Sequence, residues 1–191
     1  MLSLGNKNSM KKYLQFFLFL FASLMLSACG FHLQGEMVLA PPLHRMYLQT
    51  PNPYGYLARN LKDALKLSKV HLVSSPNEAQ TVLVILSDDT SQELLSVSGT
   101  NQTRQYNLHV TVTFEITTAN GVVILPPQVF TETRAYTVQA NQILGSSNEA
   151  SLFYRQMRRA LAYTIMNRIA SREVTNMVNA AFSAQPNQTT S

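Results

Sequence analysis

Cys29 is the only thiol in the 191-residue chain, and its neighbourhood points to a definite chemistry. It ends the run Leu26-Ser27-Ala28-Cys29, which closes a largely apolar stretch over residues 16–26. Three lysines precede the stretch: Lys7, Lys11 and Lys12. A basic region, an apolar region and then small residues are typical of a secretory signal. A lone cysteine also suits a small buried hydrophobic residue or a position inside a transmembrane helix.

The residues around Cys29 resemble the lipobox of bacterial lipoproteins, in which the thiol receives a lipid and becomes the first residue after cleavage. We therefore predict a signal peptide over residues 1–28 and a lipid, with palmitate among its acyl chains, on Cys29. Several acyl chains give stable anchoring, whereas one chain does not. Gly30 follows the cysteine, where an aspartate would resemble an inner-membrane retention signal, so the outer membrane is favoured. The alternative is an uncleaved anchor, although residues 13–26 are short for a span of about 20 residues.

Composition excludes some classes of function. Residues 1–28 hold three of the 15 lysines and arginines and none of the 10 acidic residues, so cleavage leaves twelve basic against ten acidic side chains. This net charge of +2 gives no large basic field of the kind that binds nucleic acid. The remaining 163 residues suit one domain with its own core.

The chain shows no catalytic motif, no phosphate-binding glycine loop and no zinc-protease motif, which predicts that the protein is not an enzyme. Its four histidines lie apart, so neither a metal site nor another cofactor is expected. The neighbouring Asp88 and Asp89 would point to opposite faces of a strand and not form a carboxylate dyad, and a solvated strand end is the simpler interpretation.

Hydrophobic periodicity places the elements. The sequence predicts a tether over residues 29–45, a folded domain over 46–175 and a disordered tail over 176–191. Within the domain, apolar residues at helical spacing predict a helix from Leu57 to Ser68, and a second helix is expected after a capping box formed by Ser146 and Glu149. Four strands are predicted, over residues 46–49, 80–86, 106–117 and about 122–140.

The third predicted strand has the clearest pattern, because apolar and polar residues alternate over all twelve positions. Asn120-Gly121 after it is a strong hairpin signal, and Pro126-Pro127 indicate an edge or a break in the last strand. The first helix would link two parallel strands in a right-handed crossover. The order β-α-β-β-β-α predicts an α+β two-layer sandwich, in which a four-stranded mixed sheet carries two helices on one face.

The other face of that sheet would be rich in threonine, asparagine and glutamine. Such a face can hydrogen-bond a polar partner without the burial of many charges, or it can simply be hydrated. The arginines on the last helix have two possible interpretations. They form a solvated helix face, or they form a surface that meets anionic lipid or a polar partner.

The predicted mature start, Cys29-Gly30-Phe31-His32-Leu33-Gln34-Gly35, resembles the opening of the LptE family of lipopolysaccharide-assembly lipoproteins. The resemblance continues through Leu57-Ala58-Arg59-Asn60-Leu61, through Gln102-Thr103-Arg104-Gln105-Tyr106 and into the last helix after Asn148-Glu149. It implies a plug inside the LptD β-barrel of the outer membrane, a heterodimer that inserts lipopolysaccharide into the outer leaflet. It also implies that the plug assists barrel assembly and binds lipopolysaccharide.

Basic residues of that family near the hairpin tip and the last helix are replaced here by Gly99-Thr100-Asn101 and Ser146-Ser147. Arg104 is the nearest cation, because in an antiparallel hairpin the start of its strand should lie beside the end of the following strand and near the start of the last helix. Arg134 is a second, weaker candidate for contact with lipopolysaccharide. A solvated strand arginine is the alternative at both positions. The alternative function is a free-standing outer-membrane lipoprotein, acting as a periplasmic carrier or an envelope scaffold.

Overall fold

A five-stranded sheet with helices against one face organises residues 37–184 in this computed structural model. The structure describes residues 12–13, 15–18, 37–100, 103–139 and 143–184. The chain divides into two compact units, Met1–Gly35 and Glu36–Ser191. In the first unit the described residues are helical. Cys29 lies outside the described residues, so its modification stays a prediction.

The strands are β1 (Arg45–Gln49), β2 (His71–Leu72), β3 (Thr81–Val97), β4 (Thr103–Thr118) and β5 (Val123–Gln139). Their order in the sheet is β2-β1-β3-β4-β5. β1 is parallel to both of its neighbours, and the other pairs are antiparallel, which confirms a mixed sheet and the parallel β1–β3 pair. The predicted count of four strands is wrong by one, because the two-residue β2 is too short to show a periodicity.

The helices are α1 (Tyr56–Leu67), α2 (Ile143–Ile169) and α3 (Arg172–Ser183), with short 3₁₀ turns over Pro41–His44 and Pro76–Glu78. α1 buries the apolar stripe that its spacing predicts. α2 begins at Ile143, so Ser146 is not its N-terminal cap. α3 is the helix that the prediction lacked, and the Ser171 hydroxyl caps it by accepting a hydrogen bond from the Val174 amide at 3.3 Å.

The predicted domain, residues 46–175, is too short at both ends. Leu39 and Leu43, in the segment predicted to be a tether, are buried in the core. Val178, in the segment predicted to be a disordered tail, is fully buried, and α3 continues to Ser183. Apolar contacts therefore order residues on both sides of the predicted domain.

The core lies between the sheet and the helices, and β4 runs through its centre. The predicted alternation on β4 is confirmed, because its even-numbered residues from Leu108 to Ile116 have no exposed surface. Phe114 packs its ring 5.5 Å from that of Phe130 on β5, measured between centroids. The helix side of the interior is supplied mainly by α1 and α2, with Leu61, Leu65, Leu161 and Ile165.

β5 is the edge strand, as the two prolines predict. Pro126 and Pro127 lie where the pairing of β4 with β5 changes register, so their missing amide donors interrupt the ladder at a bulge. The hairpin at Asn120-Gly121 is also confirmed. Gly121 has a φ of +82°, a conformation that glycine adopts at little cost.

Candidate functional site

Arg104 lies near the tip of the long β3–β4 hairpin and is exposed. It is paired with Val97 on β3 and with Val138 near the end of β5. Within the described ranges its side chain makes no hydrogen bond or ion pair, and its guanidinium is available to an anion. The register confirms that this residue lies beside the end of the last strand.

Apolar side chains surround Arg104 on the same face of the hairpin. Val97 and Leu94 are both exposed although they are large and apolar. Tyr106, the next residue of β4 on this face, stacks on Tyr136 with 5.7 Å between ring centroids. The hairpin therefore offers one free cation among apolar and aromatic groups, which suits a ligand with anionic and apolar parts.

Arg134 is also exposed, but its guanidinium already has partners on α2. Its guanidinium lies 4.4 Å from the centroid of the Phe153 ring, and it donates a hydrogen bond to Oε1 of Gln156 on α2. It is paired with Leu108, four positions along the sheet from the Arg104–Val138 pair, which is about 13 Å at strand rise. The two candidate arginines do not form one site, and the structure favours Arg104 as the free cation.

The sheet face away from the helices is polar, as predicted, and its side chains already bond to one another. Thr111 and Thr131 share a hydrogen bond of 3.0 Å between their hydroxyl oxygens. The Nδ1 atom of His109 lies 3.0 Å from the Thr133 hydroxyl, and its Nε2 lies 3.8 Å from the Glu93 carboxylate. This cross-strand network gives a hydrated surface with fixed polar groups.

Asp88 and Asp89 lie on opposite faces, as strand geometry predicts, but the interpretation of Asp88 as solvated is wrong. Both of its carboxylate oxygens lie 2.9 Å from Nε of Arg158 on α2. Each side chain is only 18% exposed, so this pair ties the helix to β3. Arg158 is therefore not part of a solvated helix face, which was one of the two interpretations of the helix arginines.

Sequence reasoning missed a cluster on the outer side of the helices. Tyr56 of α1 has the Arg59 guanidinium 4.5 Å from its ring centroid, and Arg155 of α2 donates to its hydroxyl at 3.4 Å. The hydrogen bond and charge of Arg155, with a further contribution from Arg59, lower the pKa of the Tyr56 phenol. Only the Tyr56–Arg59 spacing was visible in the sequence, because Arg155 comes from another element.

Two other features of the described residues bear on function. No three of their His, Cys, Asp and Glu side chains are grouped closely enough to hold a metal ion. None of the helices in that part of the chain is both long and apolar enough to cross a membrane.

The architecture is that of a class of bacterial lipoproteins whose structures have been solved. It is similar to the minor lipoprotein from Acinetobacter baumannii, with a TM-score of 0.59 and 25% identity over 69% of this chain and 93% of that one. It is also similar to the rare lipoprotein B from Shewanella oneidensis, with a TM-score of 0.60 and 26% identity over 69% of this chain and 97% of that one. The solution structure of lipoprotein B from Nitrosomonas europaea, at 18% identity, shares the fold with a TM-score of 0.60 over 84% of this chain and 99% of that one.

The chain belongs to the LptE family. The family model, described as lipopolysaccharide-assembly, matches residues 43–169. The LPS-assembly lipoprotein LptE of Pectobacterium atrosepticum is 26% identical over 160 residues, 81% of this chain and 86% of that protein. The protein of the same name from Yersinia enterocolitica is 32% identical over 88 residues, and the match spans 46% of this chain and 42% of that relative. Membership supports a role in lipopolysaccharide assembly as a lipoprotein.

Proposed function

We propose that this protein is a lipid-anchored outer-membrane plug of the LptD β-barrel that helps insert lipopolysaccharide into the outer leaflet and binds lipopolysaccharide directly. Membership of the LptE family is the observation that carries the proposal. The lipid would be attached at Cys29, and the protein itself would catalyse no reaction. Its partners are the barrel, lipopolysaccharide and the membrane that holds the acyl chains.

The surface of the sheet is compatible with a position inside a barrel. Wide transmembrane barrels have a polar interior, and an inserted domain must meet it without large apolar patches or many unpaired charges. The threonine-rich sheet face satisfies this condition, because its hydroxyl and imidazole groups already have partners across the strands. A barrel wall can therefore approach this face while few polar groups lose hydrogen bonds.

Co-purification tests the plug. We expect that the full-length protein, affinity-purified from membranes in mild detergent, brings with it a large β-barrel in a one-to-one ratio. A matched preparation of an unrelated outer-membrane lipoprotein should bring none. Recovery of the protein without a barrel would contradict the proposal and favour the free-standing carrier or scaffold.

Arg104 is the residue we propose for contact with the phosphates of lipopolysaccharide. It combines an exposed guanidinium with neighbouring apolar side chains, Leu94 and Val97, that suit acyl chains. Arg134 is the weaker candidate, since Phe153 and Gln156 already engage its guanidinium.

Arg104→Ala is expected to weaken lipopolysaccharide binding by the purified protein about 10- to 100-fold, because a hydrogen bond to a charged group contributes roughly 1.5–3 kcal/mol. Binding would be measured by titration at low and at moderate salt, and the loss should shrink as salt rises. Arg172→Ala, which removes an exposed arginine from α3, is the control and should bind normally. Unchanged binding by Arg104→Ala at both salt concentrations would refute the assignment.

A further inference from the structure

The outer side of α1 and α2 forms one continuous surface, which we call the helix-layer face. Tyr56, Arg59 and Lys66 lie on one stripe of α1, and Arg155 and Arg159 lie on one stripe of α2, since residues three or four apart share a helix side. All five side chains are exposed. The hydrogen bond from Arg155 to Tyr56 joins the two stripes.

The helix-layer face carries more basic than acidic side chains. Its two arginines that contact Tyr56 have no carboxylate within 4.0 Å among the described residues, whose ion pairs lie elsewhere. Asp63 lies on the α1 stripe, one turn beyond Arg59, and Glu149 lies one turn before Leu152 on α2; both are exposed. Arg59, Lys66, Arg155 and Arg159 therefore face solvent in excess over these two carboxylates, which gives this face a positive potential.

The sheet face that points away from the helices carries a net charge of the opposite sign. Asp89, Glu93 and Glu115 belong to the β3 and β4 positions that point away from the helices. Arg45 on β1 shares that side of the sheet, where its guanidinium donates to the Glu78 carbonyl. The two faces of the domain thus differ in charge, so an anionic surface attracts the helix-layer face and repels the other.

Aromatic and apolar groups are interleaved with the cations of the helix-layer face. Tyr163 and Leu152 lie on the same α2 stripe as the arginines, and each exposes more than two fifths of its surface. Leu67 ends the α1 stripe and is 75% exposed. A dissolved anion gains nothing from these groups. Tyrosine, leucine and arginine together are typical of the interface between water and lipid headgroups.

We propose that the helix-layer face docks onto the headgroups of an anionic phospholipid membrane, with Arg59, Arg155 and Arg159 at the phosphates and Tyr163 and Leu152 at the edge of the acyl region. The charge difference between the two faces fixes the orientation, with the sheet turned to the aqueous side. This docking is a state of the protein apart from a barrel, because a domain enclosed in a barrel lumen cannot lay the helix-layer face on phospholipid headgroups.

Reporter groups on the two faces test the orientation. Leu152→Cys on the helix-layer face and Thr131→Cys on the sheet face would each carry a spin label, with the unsubstituted protein as the labelling blank. The full-length protein would be reconstituted into vesicles of phosphatidylcholine, with or without phosphatidylglycerol. We expect a water-soluble relaxation reagent to lose access to the label at 152 only when phosphatidylglycerol is present, while the label at 131 stays accessible.

Charge variants then connect the shielding to the named arginines. Arg155→Gln with Arg159→Gln should reduce the docking equilibrium about 25-fold, since each basic residue near an anionic surface contributes about fivefold. Arg45→Gln with Arg172→Gln removes the same charge away from this face and should leave the shielding unchanged. Shielding that is equal on both faces, independent of phosphatidylglycerol or equally lost in both double variants would overturn the proposal. Co-purification with a barrel is measured separately, so either proposal can fail alone.

Discussion

Replacing Phe114 by alanine is expected to lower the free energy of unfolding by about 3–5 kcal/mol, the largest stability effect we predict for a single side chain. Phe114 has no exposed surface and lies at the centre of β4, paired with Ile85 on β3 and Gln128 on β5. Its removal leaves a cavity and also takes away the contact with the Phe130 ring. The loss is a large part of the roughly 5–15 kcal/mol that stabilises a typical domain.

Urea titration followed by circular dichroism measures this effect, with a second spectroscopic probe to establish that unfolding is two-state. Val129→Ala is the matched control, because Val129 lies on β5 beside Phe130 but is 62% exposed. Its cost should stay within about 0.5 kcal/mol. Equal losses in the two variants would contradict the assignment of the core to the helix side of β4.

β4 could be predicted from sequence because its pattern depends only on local geometry. Every second side chain of a strand points to the same face, and one face of β4 is buried from Leu108 to Ile116. The same reasoning applies to α1, whose buried stripe follows helical spacing. The Asn120-Gly121 turn and the edge position of Pro126-Pro127 follow from backbone chemistry that those residues impose wherever they occur.

Two elements, β2 and α3, and two irregular positions on β3 were missed in the prediction from sequence. β2 has two residues and exists because β1 offers it a parallel edge. α3 does carry a helical pattern, since Val174, Met177, Val178 and Ala181 lie on one side of it, but its asparagine and alanine residues resemble a polar tail in composition, and the pattern was overlooked. Leu86 and Leu95 are exposed on an otherwise regular strand because each lies at a register shift between β3 and β4. β2 and the two register shifts depend on contacts between distant segments, which no spacing rule reveals.

The candidate site likewise combines features that the sequence predicts with features that only the packing of distant elements creates. Sequence reasoning selected Arg104 first and Arg134 as a weaker second candidate, and the register places Arg104 beside the end of β5 as expected. The difference between them comes from α2, whose Phe153 and Gln156 engage only Arg134. The cluster of Tyr56, Arg59 and Arg155 likewise needs two helices to be packed together, so residues 99 positions apart become neighbours.

Replacing Cys29 by serine is expected to abolish acylation, the largest functional effect we predict. Lipid attachment requires a sulfur nucleophile, and a serine hydroxyl ionises far less readily than a thiol. Without acyl chains the variant lacks the anchor that several chains supply together. Intact mass should increase by the uncleaved signal and decrease by the lost lipid, and labelling with palmitate should disappear.

Membrane association alone does not decide this experiment, because an uncleaved signal can itself hold the protein at the membrane. The apolar stretch over residues 16–26 is shorter than a span of about 20 residues, but it remains hydrophobic. Palmitate labelling and mass therefore decide between the lipobox and the uncleaved anchor. Ser27→Ala is the control, since it keeps a small residue before the cysteine and should be processed normally. Retained label in the serine variant would show that the acyl chains are attached elsewhere, and the tether from Cys29 to the proposed barrel site would then have to be abandoned.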